Sequence, residues 1–341
     1  MQVIHSPLHA GHDGGKELHR GQLVPCFEMP SRVDYILEAI VREGWNVAPP
    51  SAYEDEVLAR VHDLDYLEFL RGAWQAWRDE GRDEFMLPGA FPARGMRRDK
   101  VPEGVHARLG YYAFDAGSPI VAGTWSAARA AAHCALTAAD LVAGGERAAY
   151  ALCRPPGHHA GRGLFGGYCF LNNAALAAQR LLDSGLSRVT VLDVDYHHGN
   201  GTQDIFWERS DVQVISLHGA PDTEYPYFLG YADEKGAGAG RGYNHNFPLP
   251  RGTNGGAYFE ILEVALHSLA EYAPQALVVS LGVDTFAGDP ISHFALGAKD
   301  FIRLGQRLAA LRLPTVLVQE GGYAVAEIGE NVASVLEGFV D

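Results

Sequence analysis

The sequence predicts an α/β protein: one domain, with a central mostly parallel sheet flanked by helices on both faces. Three observations carry that prediction. Short, near-continuous apolar runs recur from about residue 120 onward, stretches of helical period separate them, and no shift of composition marks a boundary between two domains. Runs that are apolar at every position, not at alternate ones, belong to strands covered on both faces, as in a parallel sheet. Regular alternation of such runs with amphipathic helices gives a doubly wound architecture. The 341 residues would allow two domains of ~150 residues, but a single α/β core can run past ~250. Residues 1–341 are therefore read as one domain.

Taken in chain order, 31–43 and 65–80 have helical periodicity. Residues 13–30 and 82–123 are rich in Gly, Pro and charge and read as long loops, which in compact domains commonly surround a functional site. Thr124 is placed to cap a helix reaching about 142, and Asn172 to cap one ending near 184–185, because their side-chain oxygens can accept free N–H groups of the first turn. Strands are predicted at 148–153, 189–194, 212–217, 276–283 and 315–318, and further helices at 257–272, 300–311 and 326–336.

Charge and composition narrow the function. With 27 basic and 42 acidic residues the net charge is −15, which repels nucleic-acid phosphates and anionic membranes and attracts small cations. No nucleic acid or membrane partner is expected. No stretch reaches the ~18 apolar residues of a membrane span. The first fifteen residues have neither the basic nor the apolar region of a secretion signal. Cys26, Cys134, Cys153 and Cys169 form no CxxC pair and are expected as buried, reduced thiols of a cytoplasmic protein.

Ligands of open parallel sheets bind at the carboxyl ends of the strands, and the polar clusters of this chain sit there. RPPGHHAG, with His158 and His159, follows the 148–153 strand. DVDYHHGNG brings Asp193, Asp195, His197, His198 and Asn200 to the end of 189–194; Asp284 follows 276–283, and QEGGY with Tyr323 follows 315–318. Asp195 and His197 are two apart and so point to one side of an extended strand end. With Asp284 they supply one nitrogen and two oxygen ligands and leave a position open, the count of a catalytic metal site. This mixed set suits zinc, with Fe(II), Mn(II) and Co(II) chemically credible. A second metal would need more carboxylates, and Gly282 stands where one would be required, so one ion per chain is expected. His158 and His159 suit general acid–base work, with Asp193 and Asn200 as orienting partners that give the two rings different basicities. Tyr323, after two glycines, can donate to a developing oxyanion. His9, His12 and His19 read as solvated loop residues, and His62, His133, His245 and His267 show no partner pattern.

The motifs RPPGHH, GYCFLNN, DVDYHHGNGTQ, SLHG, LGVDTFAGDP and EGGY, in this order across 148–323, resemble those of the histone deacetylase superfamily. GKELHRGQLVPCFEMPSR and the overall length are similar to its bacterial acetylpolyamine amidohydrolases. The resemblance implies an arginase–deacetylase fold, zinc at Asp195, His197 and Asp284, a catalytic pair His158 and His159 with Asp193 orienting the former, and Tyr323 polarising the amide carbonyl. It implies structural potassium near Asp193, Asp195, His197, Ser216 and Leu217, with a second monovalent cation near Phe206, Arg209, Val212 and Tyr243. Gly167, Tyr168, Tyr225 and Ile291 match positions lining the substrate tunnel, and Phe27 adds an aromatic face that suits a flexible aliphatic cation. The implied reaction is hydrolysis of an N-acetyl amide by water activated at the metal. His159 would take the proton, Tyr323 would steady the oxyanion and a histidine would protonate the leaving amine. His106 and Gly117 stand where glutamates that read a distal ammonium are expected, which leaves Asp115 and Glu17 as candidates. The substrate class implied is acetylated polyamines such as acetylputrescine, acetylcadaverine and acetylspermidine, with long loops narrowing the mouth of a homodimer. The alternative is a lysine deacetylase acting on proteins, peptides or other small acyl amides. An arginase-like ureohydrolase lacks its second carboxylate, and a non-catalytic binding protein would not keep the whole polar set.

Overall fold

The computed structural model describes residues 1–340. Strand β1 (Gln2–His5) is followed by a hairpin of β2 (Lys16–His19) and β3 (Gln22–Pro25), then α1 (Ser31–Arg42), β4 (Asn46–Ala48), α2 (Leu64–Asp79) and α3 (Val105–Tyr111). The regular part comprises α4 (Thr124–Ala143), β5 (Ala148–Leu152), α5 (Asn173–Asp183), β6 (Val189–Asp193), α6 (Asn200–Phe206) and β7 (Val212–Gly219). It continues with β8 (Asn244–Leu249), α7 (Gly255–Tyr272), β9 (Ala276–Leu281), α8 (Ala298–Ala309), β10 (Thr315–Gln319) and α9 (Ile328–Val340). Eight strands form one sheet in the order β4-β1-β5-β10-β9-β6-β7-β8, and every pairing in it is parallel.

The five predicted strands are the five consecutive central ones, and they read as apolar runs because both of their faces are buried. Alternate residues feed two separate cores. Ala149, Ala151, Val189, Val191, Val278 and Val316 pack against α2, α4 and α5, whereas Tyr150, Leu152, Leu192, Val279 and Leu317 pack against α1, α7, α8 and α9. The strands that periodicity misses, β1, β4 and β8, lie toward the two edges. There β4 is three residues long, and β8 carries Asn244, His245, Asn246 and Pro248, polar or ring-constrained residues that only an edge tolerates.

Some expectations need correction. The 13–30 and 82–123 segments are not pure loops, since the first contains the β2–β3 hairpin and the second contains α3. Asn172 caps α5 as expected, accepting from Ala175 N at 2.9 Å. Thr124 does not cap α4: the capping position belongs to Gly123, whose missing side chain lets it lie against the Gly11 backbone. The Thr124 hydroxyl accepts from Val121 N at 2.8 Å instead. His9 and His12 are buried, not solvated. His62 is buried as well and has partners, accepting from Asn172 N at 2.9 Å and bonding Gly161 O at 2.9 Å.

The N-terminal segment is fastened to the sheet by charge. Glu28 is buried between Arg32 and Arg154, and its Oε1 lies 2.8 Å from each guanidinium. Arg154 also donates to the carbonyls of His9 and His12, both at 2.7 Å. Arg32 donates to those of Gly322 at 2.6 Å and Glu320 at 2.7 Å. One carboxylate thus neutralises two buried cations that grip two different loops. Glu28→Gln leaves both cations without their counter-charge and is expected to cost ~3–5 kcal/mol in urea denaturation.

Candidate metal centre and active-site cavity

The four loops that carry the polar motifs leave β5, β10, β9 and β6, which are neighbours in the sheet. Their residues therefore converge. Asp195, His197 and Asp284 each bring a ligand atom to within 4.8 Å of the others, and all three are buried. Asp195 is oriented by N–H donors from His197 and Gly321, each at 2.8 Å, and Asp284 by Tyr196 N at 2.8 Å. His197 Nδ1 faces Asp284 Oδ2 at 2.9 Å and Asp195 Oδ1 at 3.3 Å. Glycine is required on two sides. A Cβ at Gly282 would overlap the Asp195 carboxylate, and one at Gly321 would stand 2.6 Å from Asp195 Oδ2 and 2.7 Å from Asp284 Oδ2.

Burial, and after it the charge of Asp195, push Asp284 up to about 7. His158 and His197 hold Asp195 well below the usual carboxylate range against its own burial. Two carboxylates facing one imidazole in the interior form a site that a divalent cation would stabilise, and the donor set suits zinc and its first-row neighbours. The three residues thus fit the ion they are expected to hold.

His158 and His159 lie side by side, with ring centroids 4.0 Å apart. His158 Nδ1 pairs with Asp193 Oδ2 at 2.9 Å, and His159 Nδ1 with Asn200 Oδ1 at 2.7 Å. Burial opposes charge on both rings. At His158 the Asp195 and Asp193 carboxylates outweigh it and hold the pKa up to about 10. At His159 burial is reinforced by His158 and His197, and the ring stays neutral, well below its ordinary value. The Asp195 and Asp193 carboxylates on one side, and burial beside two other imidazoles on the other, thus push the two rings in opposite directions.

A cavity of about 350 Å³ leads to this cluster. His159, His197 and Tyr323 line it, together with Gly167, Tyr168, Tyr225, Tyr227 and Ile291. His158 is not among its lining residues. The hairpin expected as part of the 13–30 loop forms one wall through Glu17, Leu18, His19, Arg20 and Gly21. Asp115, Ala116 and Gly117 from the 82–123 segment form another. Phe27 is not in the lining, and its contribution is a backbone N–H donated to Glu17 Oε2 at 3.1 Å.

The two candidate acids differ in what occupies them. Asp115 Oδ2 accepts from Tyr225 OH at 2.6 Å and Gly167 N at 2.8 Å, and its Oδ1 accepts from Gly117 N at 3.1 Å. Both oxygens are thus spent on holding the wall together. Glu17 accepts from Tyr168 OH at 2.8 Å in addition to Phe27 N. Burial pushes it up to about 7 in spite of these bonds.

Some residues of the expected cation sites are neighbours in the sheet. Asp193 and Ser216 are register partners at the ends of β6 and β7. Phe206 ends α6, Val212 opens β7 and Tyr243 precedes β8, its carbonyl accepting from Val214 N. Arg209 is bonded to Asp211 and Gln179, with its guanidinium over the Phe206 ring.

Sequence reasoning assigned nothing to Glu28, Arg32, Glu320 or Asp289. Arg32 lies over the Tyr323 ring at 4.8 Å, and Glu320 Oε2 accepts from Gly157 N at 2.6 Å and His158 N at 3.1 Å. Glu320 stood inside a quoted motif, but a buried arginine in the first turn of a helix has no sequence signal.

A profile of the histone deacetylase domain matches residues 26–339. Acetylpolyamine amidohydrolase 1 of Pseudomonas aeruginosa is 52% identical, over 99% of both chains. The acetylpolyamine amidohydrolase of Mycoplana ramosa is 48% identical, over 99% of both chains. Among solved structures, an acetylpolyamine aminohydrolase from Burkholderia pseudomallei superposes with a TM-score of 0.95 at 41% identity, covering 99% of this chain and 98% of that one.

Because Gly282 leaves the only room for the Asp195 carboxylate, Gly282→Ala is expected to abolish metal retention while the far-ultraviolet spectrum is kept. Elemental analysis after gel filtration reads the first and circular dichroism the second.

Proposed function

The chain belongs to the histone deacetylase family and is a hydrolase of acetyl amides; we propose that its substrates are acetylated polyamines, cleaved to acetate and the free amine. The observation that carries this reading is the cavity itself. It ends on the Asp195, His197 and Asp284 cluster, and its walls carry tyrosines and the carboxylates Glu17 and Asp115, with Glu224 paired to Arg251, against one exposed cation, Arg20. Such walls suit a slender chain with an ammonium at its far end, since aromatic faces and carboxylates both attract it.

Asp195, His197 and Asp284 would hold the metal, zinc in this reading with Fe(II), Mn(II) or Co(II) as substitutes. When bound, the ion polarises the amide carbonyl and makes water acidic enough to attack at neutral pH. His159 is neutral and faces the cavity, so it takes the proton of the attacking water and later returns it to the leaving amine. His158, held cationic by Asp193 and Asp195, supplies positive charge beside the developing anion. The Tyr323 hydroxyl donates to the oxyanion, and Asn200 keeps the His159 proton on Nδ1, leaving Nε2 free as the base. Glu17 is the group assigned to the distal ammonium, because it lines the cavity from the hairpin and accepts fewer hydrogen bonds than Asp115. A structural potassium at the ends of β6 and β7 completes the cation set. The exposed Phe228 and Leu229 beside the mouth, with Leu23 on the hairpin, support a homodimer. The four free, buried thiols fit a cytoplasmic location. Among the described residues no helix is long and apolar enough to cross a membrane.

Zinc-reconstituted protein should turn over acetylputrescine, acetylcadaverine and N8-acetylspermidine in preference to an acetyl-lysine peptide. Equal or better turnover of the peptide would replace the polyamine assignment by the lysine deacetylase one. His159→Ala is expected to lower kcat by ~100-fold or more, the scale of a lost general base. Tyr323→Phe should do the same by ~100-fold, the scale of a lost oxyanion donor, and a chelator should remove activity that zinc restores.

Glu17 also makes the substrate affinity depend on pH. Its carboxyl is neutral below about 7 and anionic above it, whereas an alkylammonium stays charged up to ~10. KM for an acetylated diamine should therefore fall as pH rises through 7. KM for an acetylated monoamine of equal length should not change, and Glu17→Gln should remove the difference between the two.

A further inference from the structure

Tyr323 stands on a backbone whose composition leaves it wide conformational choice. Gly321 and Gly322 precede it, and Gly322 has φ +129°, a conformation that side-chain-bearing residues rarely adopt. Such a pivot does not hold a phenol in place by itself. One side of it is held by Arg32, which donates to the carbonyls of Glu320 and Gly322 and covers the tyrosine ring.

The opposite side is held by Asp289, a residue of the turn that follows Asp284. Asp289 N donates to Phe286 O at 3.1 Å, which closes the turn and directs the carboxylate inward, where it is 8% exposed. Its Oδ2 accepts from Tyr323 N at 2.7 Å and from Ala324 N at 3.3 Å. Its Oδ1 accepts from Ile291 N at 3.0 Å. Ile291 and Tyr323 both line the cavity. One carboxylate therefore joins the cavity wall to the peptide that carries the phenol, through charge-assisted bonds about twice as strong as neutral ones.

We infer that Asp289 is a positioning residue for Tyr323, setting where the phenol hydroxyl meets the oxyanion while touching neither substrate nor metal. This rests on the reading of Tyr323 as the oxyanion donor. A displacement of ~1 Å in a catalytic group can cost ~100-fold in rate, so the loss should appear in binding of the tetrahedral adduct and not in binding of the ground state.

The test uses equilibrium binding, so that slow variants remain measurable. A trifluoromethyl ketone analogue of an acetylated diamine hydrates to a tetrahedral adduct that needs the Tyr323 hydroxyl. The free diamine does not reach it. In the metal-loaded enzyme, Asp289→Asn should weaken the ketone by ~10–100-fold and leave the diamine affinity and metal content at wild-type values. In a Tyr323→Phe background the same substitution should add nothing.

A ketone affinity unchanged by Asp289→Asn would overturn the inference, and so would a loss that persists undiminished in the Tyr323→Phe background. If Tyr323→Phe alone leaves the ketone affinity unchanged, the oxyanion reading itself fails and the inference falls with it, a result distinct from the other two. Should Asp289→Asn not fold, Asp289→Glu keeps the charge but shifts its oxygens along the chain. It enters the same cycle with the same expectation.

Discussion

Asp195 and Asp284 lie close together in the interior beside the His197 imidazole, and much of the surrounding structure follows from keeping them there. Like charges at short range in a poorly polarisable medium repel strongly, and burial adds a desolvation cost for each. The fold offsets part of this with backbone donors: the N–H groups of His197 and Gly321 on Asp195, and that of Tyr196 on Asp284. The remainder is left for a cation. Glycine at 282 and 321 is the steric side of the same constraint, since any side chain there would occupy the volume of the carboxylates.

Sheet order converts this local constraint into a reaction site. Because β5, β10, β9 and β6 are adjacent, four loops far apart in sequence open on one spot, and each contributes a different chemistry. The β6 and β9 ends supply acids, the β5 end imidazoles, and the β10 end a phenol on a glycine pivot. The division of labour within the imidazole pair also has a simple electrostatic origin. One ring leans on Asp193 with Asp195 nearby and is pushed up, while the other leans on an amide and is pushed down by burial and by the neighbouring imidazoles.

The walls of the cavity are built by two tyrosine–carboxylate pairs, Tyr168 with Glu17 and Tyr225 with Asp115. Both pairs fasten outlying segments to the sheet: the hairpin through Glu17, the 82–123 segment through Asp115. This is how the chain closes a narrow channel without the glutamates expected at His106 and Gly117. Of the two acids, Glu17 is the one that burial pushes up to about 7.

The sequence by itself determined the central five strands, the helices between them and the polar residues at the strand ends. Continuous burial on both faces and the strand-end rule for ligands both leave a mark in the order of residues. It could not show β1, β4 and β8, whose partial exposure erases the apolar signal, nor the burial of His9 and His12 under loops that look solvated. Tertiary structure alone decided which groups each acid is bonded to. Asp115 and Glu17 look alike in the sequence, and only the fold brings Tyr225 and Gly167 to one and Tyr168 and Phe27 to the other. The same holds for Glu28, Arg32 and Asp289. Their partners lie on distant loops, and a buried charge is recognisable only from the counter-charges and N–H groups that the fold brings to it.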